Sequence, residues 1–152
     1  MSSPPLSRYS ENRRAHYDYE TLETYQGGLV LTGQEAKSIR TGGAKLDGAH
    51  VALVQGELWL IGGNIRAYPK AGPLPGYDPG QSRKILVRKA ELNELRGKTQ
   101  QKGLTLVPFA LYPSGRRIKL SFGLAKGRKA HDKREKLRSR DLDREVRRSL
   151  SD

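Results

Sequence analysis

The chain has 152 residues and a formal net charge of +13, which leaves room for one domain with tails and favours a polyanionic partner. Nucleic acid is the leading candidate and an anionic membrane surface is the competitor. The absence of cysteine excludes a disulfide framework and thiolate zinc sites. No apolar run approaches the roughly 18 residues of a spanning helix, and nothing resembles a secretory signal, so we expect a cytoplasmic protein.

The N-terminal part is expected to begin with a flexible segment over residues 1–12, because these residues lack hydrophobic periodicity. The basic pair Arg13-Arg14 follows. From Tyr17 to Leu31, aromatic and β-branched residues predict two strands. The Gly27-Gly28 pair predicts a bend or bulge between them.

The next part of the chain predicts a helix and then a hairpin. Thr32-Gly33-Gln34-Glu35 fits a capping box, which predicts a short helix through Ile39. The nearly continuous apolar runs 51–54 and 58–61 flank a Gln-Gly turn and predict a hairpin buried on more than one side. We therefore expect Trp59 to be a core residue, with a base-stacking platform as the alternative.

A long loop separates this hairpin from the C-terminal half. Residues 66–82 carry four prolines and three glycines, so neither a helix nor a central strand can run through them. Loops of this length are often functional. The basic stretch 83–89 then leads into a helix predicted from Ala90 to Gln101 and ended by Gly103.

The last predicted elements are the two strands of a hairpin, 104–112 and 116–124, joined at Pro113-Ser114-Gly115. Pro108 predicts that the first of them is an edge strand or has a bulge. Along the second, apolar side chains alternate with Arg117, Lys119 and Ser121, so cations are expected on the open side of a half-buried strand. Short, mostly antiparallel strands with two brief helices predict a closed or partly closed barrel of the oligonucleotide-binding (OB) type.

The residues after this hairpin have a different composition. From Arg128 to Leu150 there are ten Lys/Arg against five Asp/Glu and four large aliphatic residues, too few for an independent core. Wound as a helix, the segment places five cations within an arc of roughly 80°: Lys133, Lys136, Arg140, Arg144 and Arg147. A solvated charged helix is the alternative, but we expect a basic tail over 128–152 that orders on a polyanion, behind a barrel over 13–127.

No catalytic constellation can be assembled from this sequence, and no metal-ligand spacing or glycine-rich phosphate loop occurs. Neither a metal nor a cofactor is therefore expected. The binding interpretation rests on cations interspersed with tyrosines, the mixture that RNA-binding surfaces use. The cations are Arg13, Arg14, Arg83, Lys84, Arg88, Lys89, Arg117 and Lys119, and the tyrosines are Tyr17, Tyr19, Tyr25 and Tyr112.

Five co-linear blocks resemble the SmpB family, the tmRNA-binding (SsrA-binding) proteins of bacteria. The resemblance runs from about Asn12 to Leu150, and its most diagnostic block leads from Ala-Lys-Gly to Asp-Lys-Arg near the start of the tail. The blocks are Asn12–Ala15, Leu31–Ser38, Asp78-Pro79 with Ser82–Lys84, Lys102–Pro108 and Gly123–Glu135.

The resemblance implies a six-stranded antiparallel OB-like barrel with flanking helices and a C-terminal tail that is helical only when bound. It implies no catalysis. It further implies binding to the tRNA-like domain of tmRNA, and delivery of alanyl-tmRNA with elongation factor Tu to the empty A site of a stalled ribosome. The tail would then enter the vacant mRNA channel, and the stalled peptide would be tagged while the ribosome is released.

The resemblance also implies roles for individual positions. Leu86 would contact splayed bases and Lys119 a phosphate, within a tmRNA-binding set of Arg13, Arg14, Tyr25, Gln26, Arg83, Lys84, Leu86 and Lys119. Contact with small-subunit rRNA at the decoding centre and in the mRNA channel is implied for Lys126, Gly127, Arg128, Lys129, His131, Asp132, Lys133, Arg134, Lys136, Arg140 and Arg144.

Three positions depart from the family pattern. Gln26 stands where the family usually has glutamate, His16-Tyr17 replaces a basic-His pair, and Gln34 stands where an aromatic residue is common. These departures affect RNA contacts and leave the fold expectation unchanged. The alternatives are a general structured-RNA-binding or ribosomal protein with the same barrel, and a nucleic-acid-processing enzyme.

Overall fold

The computed structural model describes residues 8–128 together with Arg134 and Arg138. Within residues 8–128 the chain forms nine strands, three α-helices and one short 3₁₀ helix, Pro69–Ala71. The strands are β1 Ser10–Glu11, β2 Tyr19–Leu29, β3 Ala44–Lys45, β4 His50–Val54, β5 Glu57–Ile61, β6 Asn64–Ile65, β7 Arg83–Leu86, β8 Leu104–Ser114 and β9 Arg117–Gly127. The helices are α1 Ala15–Asp18, α2 Gly33–Arg40 and α3 Lys89–Lys98.

Six antiparallel strands close into a barrel in the order β8-β4-β5-β7-β2-β9, because β9 also pairs with β8. Closure removes the free edges that an open sheet would expose. Strand β1 adds to the outside edge of β8, and β3 pairs with β6 in a separate two-stranded sheet. The prediction of a six-stranded, OB-like barrel with short flanking helices is confirmed.

The barrel interior is filled by alternate side chains of its strands. On β9, Ile118, Leu120, Phe122 and Leu124 are at most 5% exposed. Lys119 and Ser121, between them, face the outside, as the alternation predicts. The structure therefore places the cations of this strand on the outer surface of the barrel.

The N-terminal region is more ordered than the sequence indicates. Strand β1 pairs with β8, and the buried Asn12 side chain donates to the carbonyl oxygen of Pro108 (3.0 Å). Helix α1 was not predicted; its Ala15 packs with Phe109 in a second hydrophobic cluster. Ser10 and Glu11 thus form a strand against the barrel, whereas residues 1–7 of the segment expected to be flexible lie outside the described residues.

Strands β8 and β2 each contain one register shift, and only that of β8 lies where the sequence predicts it. The register of β8 against β9 shifts between Pro108 and Ala110, which is the bulge expected at the proline. The residues from Tyr19 to Leu29 form one continuous strand, so the two strands predicted there are wrong. Its register shift lies between Thr21 and Glu23, and the two glycines continue the strand without the predicted bend.

Helices α2 and α3 form where the sequence predicts them, but α3 ends at Lys98, three residues before the predicted end at Gln101. The capping box of α2 is present, with the Thr32 hydroxyl accepting from the Glu35 amide (3.2 Å) and the Glu35 carboxylate accepting from the Thr32 amide (3.0 Å). Helix α3 is anchored by Leu95, which is fully buried, and Leu92 packs against the core. Within residues 8–128, no helix is both long and apolar enough to cross a bilayer.

The hairpin of β4 and β5 forms as predicted, with Gln55 and Gly56 both at positive φ in the two-residue turn. The expectation that it is buried on more than one side is wrong, because only one face is fully buried. The prediction that Trp59 lies in the core is wrong. Leu58 and Leu60 point inward and are 1% and 2% exposed, so Trp59 between them faces outward and is half-buried. A run in which every residue is apolar does not specify which side chains face the core.

Candidate nucleic-acid interface

The two residues for which the family resemblance implies direct tmRNA contact lie in one row across the barrel. Leu86 on β7 is paired with Gly28 on β2, and Gly28 is paired with Lys119 on β9. All three point to the outer face, and Leu86 is 54% exposed, unusually high for a leucine on a strand. Neighbouring strands lie about 4.8 Å apart, so Leu86 and Lys119 are separated by roughly 10 Å.

This row lies in a shallow cleft of about 640 Å³. The cleft combines apolar surface from Leu86 and Val87 with the cations Arg88, Arg117 and Lys119. Among residues 8–128, Arg117 and Lys119 form no ion pair, whereas Arg88 lies 4.0 Å from Glu91. The cleft thus offers cations for phosphates beside a surface for bases, the combination used to hold unpaired or splayed nucleotides.

Gly28 shapes the middle of the cleft. Because it has no side chain, the floor between Leu86 and Lys119 is backbone, and a ligand can approach the strand closely. The nearest side-chain atom to a Cβ placed there would be Cβ of Leu86 at 3.9 Å. Gly28 therefore opens space on the outer face, and the glycine pair does not bend the chain.

Tyr25 and Gln26 both line this cleft, but Tyr25 is buried and Gln26 is exposed. Tyr25 is 8% exposed, its ring stacks on Phe122 with centroids 5.7 Å apart, and its hydroxyl donates to Glu23 (2.6 Å). Burial and the Glu23 hydrogen bond raise the pKa of Tyr25. Gln26 is exposed and adjacent to Ser121. Gln26 can therefore bind a ligand directly, while the Tyr25 ring is occupied by packing.

Arg83 does not belong to the surface, which corrects its assignment to RNA contact. It is 3% exposed, and its guanidinium donates to Glu35 through both Nε (3.0 Å) and Nη2 (2.7 Å). Its Nη1 donates to the carbonyl oxygens of Gly63 (3.1 Å) and Pro79 (2.8 Å). The buried pair ties the long loop to the barrel, so no group of Arg83 is available to a phosphate.

Lys84 lies outside the cleft but on the same outer face. Its neighbour across β5 is Trp59, and its ammonium group lies 3.3 Å from Glu57. Strand alternation places Lys84 and Leu86 on one side of β7, two residues and about 7 Å apart. Lys84 is therefore next to the cleft.

Arg13 and Arg14 are found elsewhere. Both are exposed and line a different cleft of about 1000 Å³, together with Asp18 and Asp47. The Arg14 guanidinium lies 5.7 Å from the ring centroid of Tyr17 and 3.6 Å from Asp18. The structure does not bring these two arginines together with Leu86 and Lys119.

The start of the tail lies at the end of β9. Lys126 and Gly127 are exposed and still paired with β2, and the Arg128 amide donates to the carbonyl oxygen of Asp18 (2.8 Å). Arg128 borders a third cleft that shares Thr24 with the cleft of Leu86 and Lys119. Lys119 lies eight residues, or roughly 26 Å, before Gly127 on β9, so the root of the tail is at the opposite end of that strand.

Most tail assignments lie outside the described residues: Lys129, His131, Asp132, Lys133, Lys136, Arg140 and Arg144. Arg134 and Arg138 are helical and exposed. Ordering of the tail on a partner stays a prediction.

The tmRNA-binding set left out Gly28, Arg88 and Arg117. Arg117 could have been added from its spacing, since it lies two residues before Lys119 on the same strand face. Gly28 carries no such signal, because its contribution depends on the register of β7 and β9 beside it. Within residues 8–128, no group of three or more histidine, aspartate or glutamate side chains is placed to hold a metal.

Comparisons with known proteins identify the family. The family model described as "SmpB protein" matches residues 9–152. The SsrA-binding protein of Thermosynechococcus vestitus is 47% identical over 93% of each chain, and that of Protochlamydia amoebophila is 46% identical over 91% of this chain and 90% of its own. A solved chain from "tmRNA-SmpB: a journey to the center of the bacterial ribosome" superposes with a TM-score of 0.63 and 46% identity, covering 79% of this chain and 84% of that one. The chain belongs to the SmpB family.

Proposed function

We propose that this protein binds the tRNA-like domain of tmRNA and acts with it in trans-translation on stalled ribosomes. Its relatives are named SsrA-binding proteins, and the similar solved structure is named for tmRNA-SmpB and the bacterial ribosome. The observation that carries the proposal for this chain is the row of Leu86, Gly28 and Lys119 across three strands of the outer face. As a family member the chain is an RNA-binding protein and not an enzyme.

The side chains that line the cleft have distinct tasks in this proposal. Leu86 presents an exposed apolar side chain on which a splayed base can pack. Lys119 and Arg117 neutralise phosphates, and Gln26 supplies hydrogen-bonding groups to a base or ribose. Because Gln26 carries no charge, it binds without the repulsion that a carboxylate would exert on phosphates.

The proposal extends to the ribosome through the tail. Lys126, Gly127 and Arg128 lead from the barrel into a segment of strongly basic composition. In the proposed function the barrel holds alanyl-tmRNA, elongation factor Tu delivers the complex, and the tail enters the empty mRNA channel. An electrostatic partnership with rRNA suits the net charge of +13.

The test is equilibrium binding to a transcribed tRNA-like fragment of tmRNA, with an unrelated tRNA as the competing structured RNA. Tight binding should fall by about 10³–10⁵ between 50 and 200 mM salt if roughly six to ten phosphates are neutralised. Lys119→Ala should weaken binding and reduce the salt slope by about one. Lys45→Ala, which changes an exposed cation on the separate β3–β6 sheet, is the matched control and should change neither the affinity nor the slope.

Equal affinity for the fragment and the unrelated tRNA would contradict the proposal. That result would favour a general structured-RNA-binding protein with the same barrel. Equal effects of Lys119→Ala and Lys45→Ala would show instead that the row on β7, β2 and β9 is not the contact surface.

A further inference from the structure

The outward side chain of Trp59 has no role in the core or in the proposed tmRNA cleft. It belongs to neither of the hydrophobic clusters among the described residues. The indole instead lines a small surface depression of about 310 Å³ with Val54, Gln55 and Ile61. A large aromatic side chain at such a depression, on a strongly basic protein, marks a candidate contact site for a partner.

Exposed apolar side chains lie near Trp59 on the outer face of the barrel. Among the described residues four large hydrophobic side chains are exposed, and three of them, Val30, Val54 and Leu86, lie on this part of the barrel at 48%, 46% and 54% exposure. Val54 shares the depression with Trp59. The Val30 amide donates to the carbonyl oxygen of Lys84 (3.0 Å), so Val30 continues the row from Trp59 through Lys84. Together these residues form an apolar patch.

This patch is continuous with the proposed RNA cleft. One row across the barrel runs Trp59, Lys84, Val30, and the next runs Leu86, Gly28, Lys119. The two rows share strand β7, on which Lys84 and Leu86 are two residues and about 7 Å apart. An RNA strand lying on Leu86 therefore meets Lys84 and Trp59 as its next contacts in one direction.

The charged groups at the patch can accommodate a phosphate. Lys84 pairs with Glu57, but both side chains are largely exposed, at 39% and 47%, so the pair is easily broken. An incoming phosphate competes directly with the Glu57 carboxylate for the Lys84 ammonium group. Glu57 would then be left exposed to water, which costs little.

We infer that Trp59, with Lys84 and Val30 beside it, forms a stacking subsite for one unpaired nucleotide of the bound RNA, next to Leu86. The inference rests on the proposed function. The indole accepts the face of a base, and Lys84 contacts the adjoining phosphate. RNA is favoured over a protein partner because the patch continues a cationic cleft on a chain with a net charge of +13.

Trp59 is the single tryptophan of the chain, so its fluorescence reports on this subsite alone. The full-length protein is titrated with the tRNA-like fragment of tmRNA, with excitation where tyrosine does not absorb. The fragment should quench the emission and protect the indole from acrylamide, since a stacked base covers the ring. In parallel, the affinity of Trp59→Leu, measured with labelled fragment, should fall by about 5- to 150-fold, the range for loss of one stacked base.

Two further variants separate stacking from general disruption. Trp59→Phe keeps an aromatic face and should recover part of the affinity lost in Trp59→Leu. Leu22→Ala removes an exposed apolar side chain (48%) at the bulge of β2, away from the subsite, and should bind the fragment like the wild type. Circular dichroism of each variant establishes that the barrel has folded.

The possible outcomes distinguish failure of the subsite from failure of the proposed function. If the wild type binds the fragment with unquenched Trp59, or Trp59→Leu binds as tightly as the wild type, the subsite is refuted and the proposed function stands. If the wild type does not prefer the fragment to an unrelated tRNA, the proposed function itself fails. If Trp59→Leu binds RNA normally but no longer joins stalled ribosomes, the patch serves a ribosomal surface and the stacking inference is refuted.

Discussion

Glu35 interacts with two residues that lie far apart in the sequence. It completes the capping box with Thr32, and it holds the guanidinium of Arg83, 48 residues away, in the interior. Tyr77 adds its hydroxyl to the same network, donating to the carbonyl oxygen of Ile65 (2.6 Å). One carboxylate thus joins α2, the start of β7 and the long loop.

Glu35→Gln is expected to destabilise the protein by about 3–5 kcal/mol, because it leaves the buried positive charge of Arg83 without its counterion. Glu57→Gln is the matched control, since it makes the same chemical change in the exposed pair with Lys84 and should cost no more than about 1 kcal/mol. Urea unfolding followed by circular dichroism measures both. Similar midpoints for the two variants would contradict the structural role of the buried pair.

The same residue predicts a pH dependence. Burial by itself raises the pKa of Glu35, but hydrogen bonds from the Thr32 amide and Arg83, with the charge of Arg83, outweigh it, so the pKa lies below its ordinary value of 4.5. The unfolded state then binds more protons than the folded state in acid, and stability rises with pH. The stability from this group is complete above about pH 4.5 and is lost as the pH falls through the folded-state pKa.

Accordingly, the difference in unfolding free energy between the wild type and Glu35→Gln should shrink as the pH is lowered below about 4.5. Urea titrations at a series of acid pH values measure this difference. A difference that stays constant throughout the acid range would show that the ionised carboxylate is not what stabilises Arg83.

At the scale of the element, strand β2 carries two adjacent glycines, Gly27 and Gly28, that face opposite sides of the sheet. Gly27 faces the interior, and a Cβ there would lie 2.5 Å from Cγ2 of Ile85 and 3.1 Å from the carbonyl oxygen of Leu86. Gly28 faces outward and has space. Neither residue has a positive φ, so alanine fits the backbone at both positions.

Gly27→Ala should therefore cost about 1–3 kcal/mol through overpacking, while Gly28→Ala should leave stability unchanged or raise it by up to about 1 kcal/mol. Thermal or urea unfolding of the two single variants decides between them. Equal destabilisation would indicate that the strand needs glycine flexibility at both positions, contrary to the close contact at Gly27 alone.

At the scale of the whole molecule, the two proposed tasks are divided between the barrel, which binds tmRNA, and the tail, which enters the mRNA channel. The RNA cleft lies entirely on β2, β7 and β9 and the residues beside them. Strand β9 reaches Gly127, and the Arg128 amide is held by the Asp18 carbonyl oxygen. A cut after Arg128 therefore leaves every described contact of the barrel in place.

Deletion of residues 129–152 should leave binding to the tRNA-like fragment nearly intact and abolish peptide tagging on stalled ribosomes. Fragment binding and a reconstituted tagging assay measure the two effects, with the full-length chain as reference. An equal loss of affinity for every RNA tested would instead make the tail a general electrostatic anchor.

The sequence alone determined what depends on local pattern and composition. The capping box at Thr32, the turn at Gln55-Gly56, the bulge at Pro108 and the outward cations of β9 each rest on a few adjacent residues. Motif order indicated the family, and composition distinguished the tail. These features were predictable because turn geometry, capping and strand alternation are set by near neighbours.

Only the tertiary structure decided which side chains meet across strands. The sequence predicts that Arg83 is a surface cation, but it pairs with Glu35 in the interior. The sequence also predicts that Trp59 is a core residue, but Leu58 and Leu60 occupy the inward positions. The row of Leu86, Gly28 and Lys119 likewise depends on the register of three strands distant in sequence. Register and burial follow from closure of the whole barrel, and no local window of sequence contains that information.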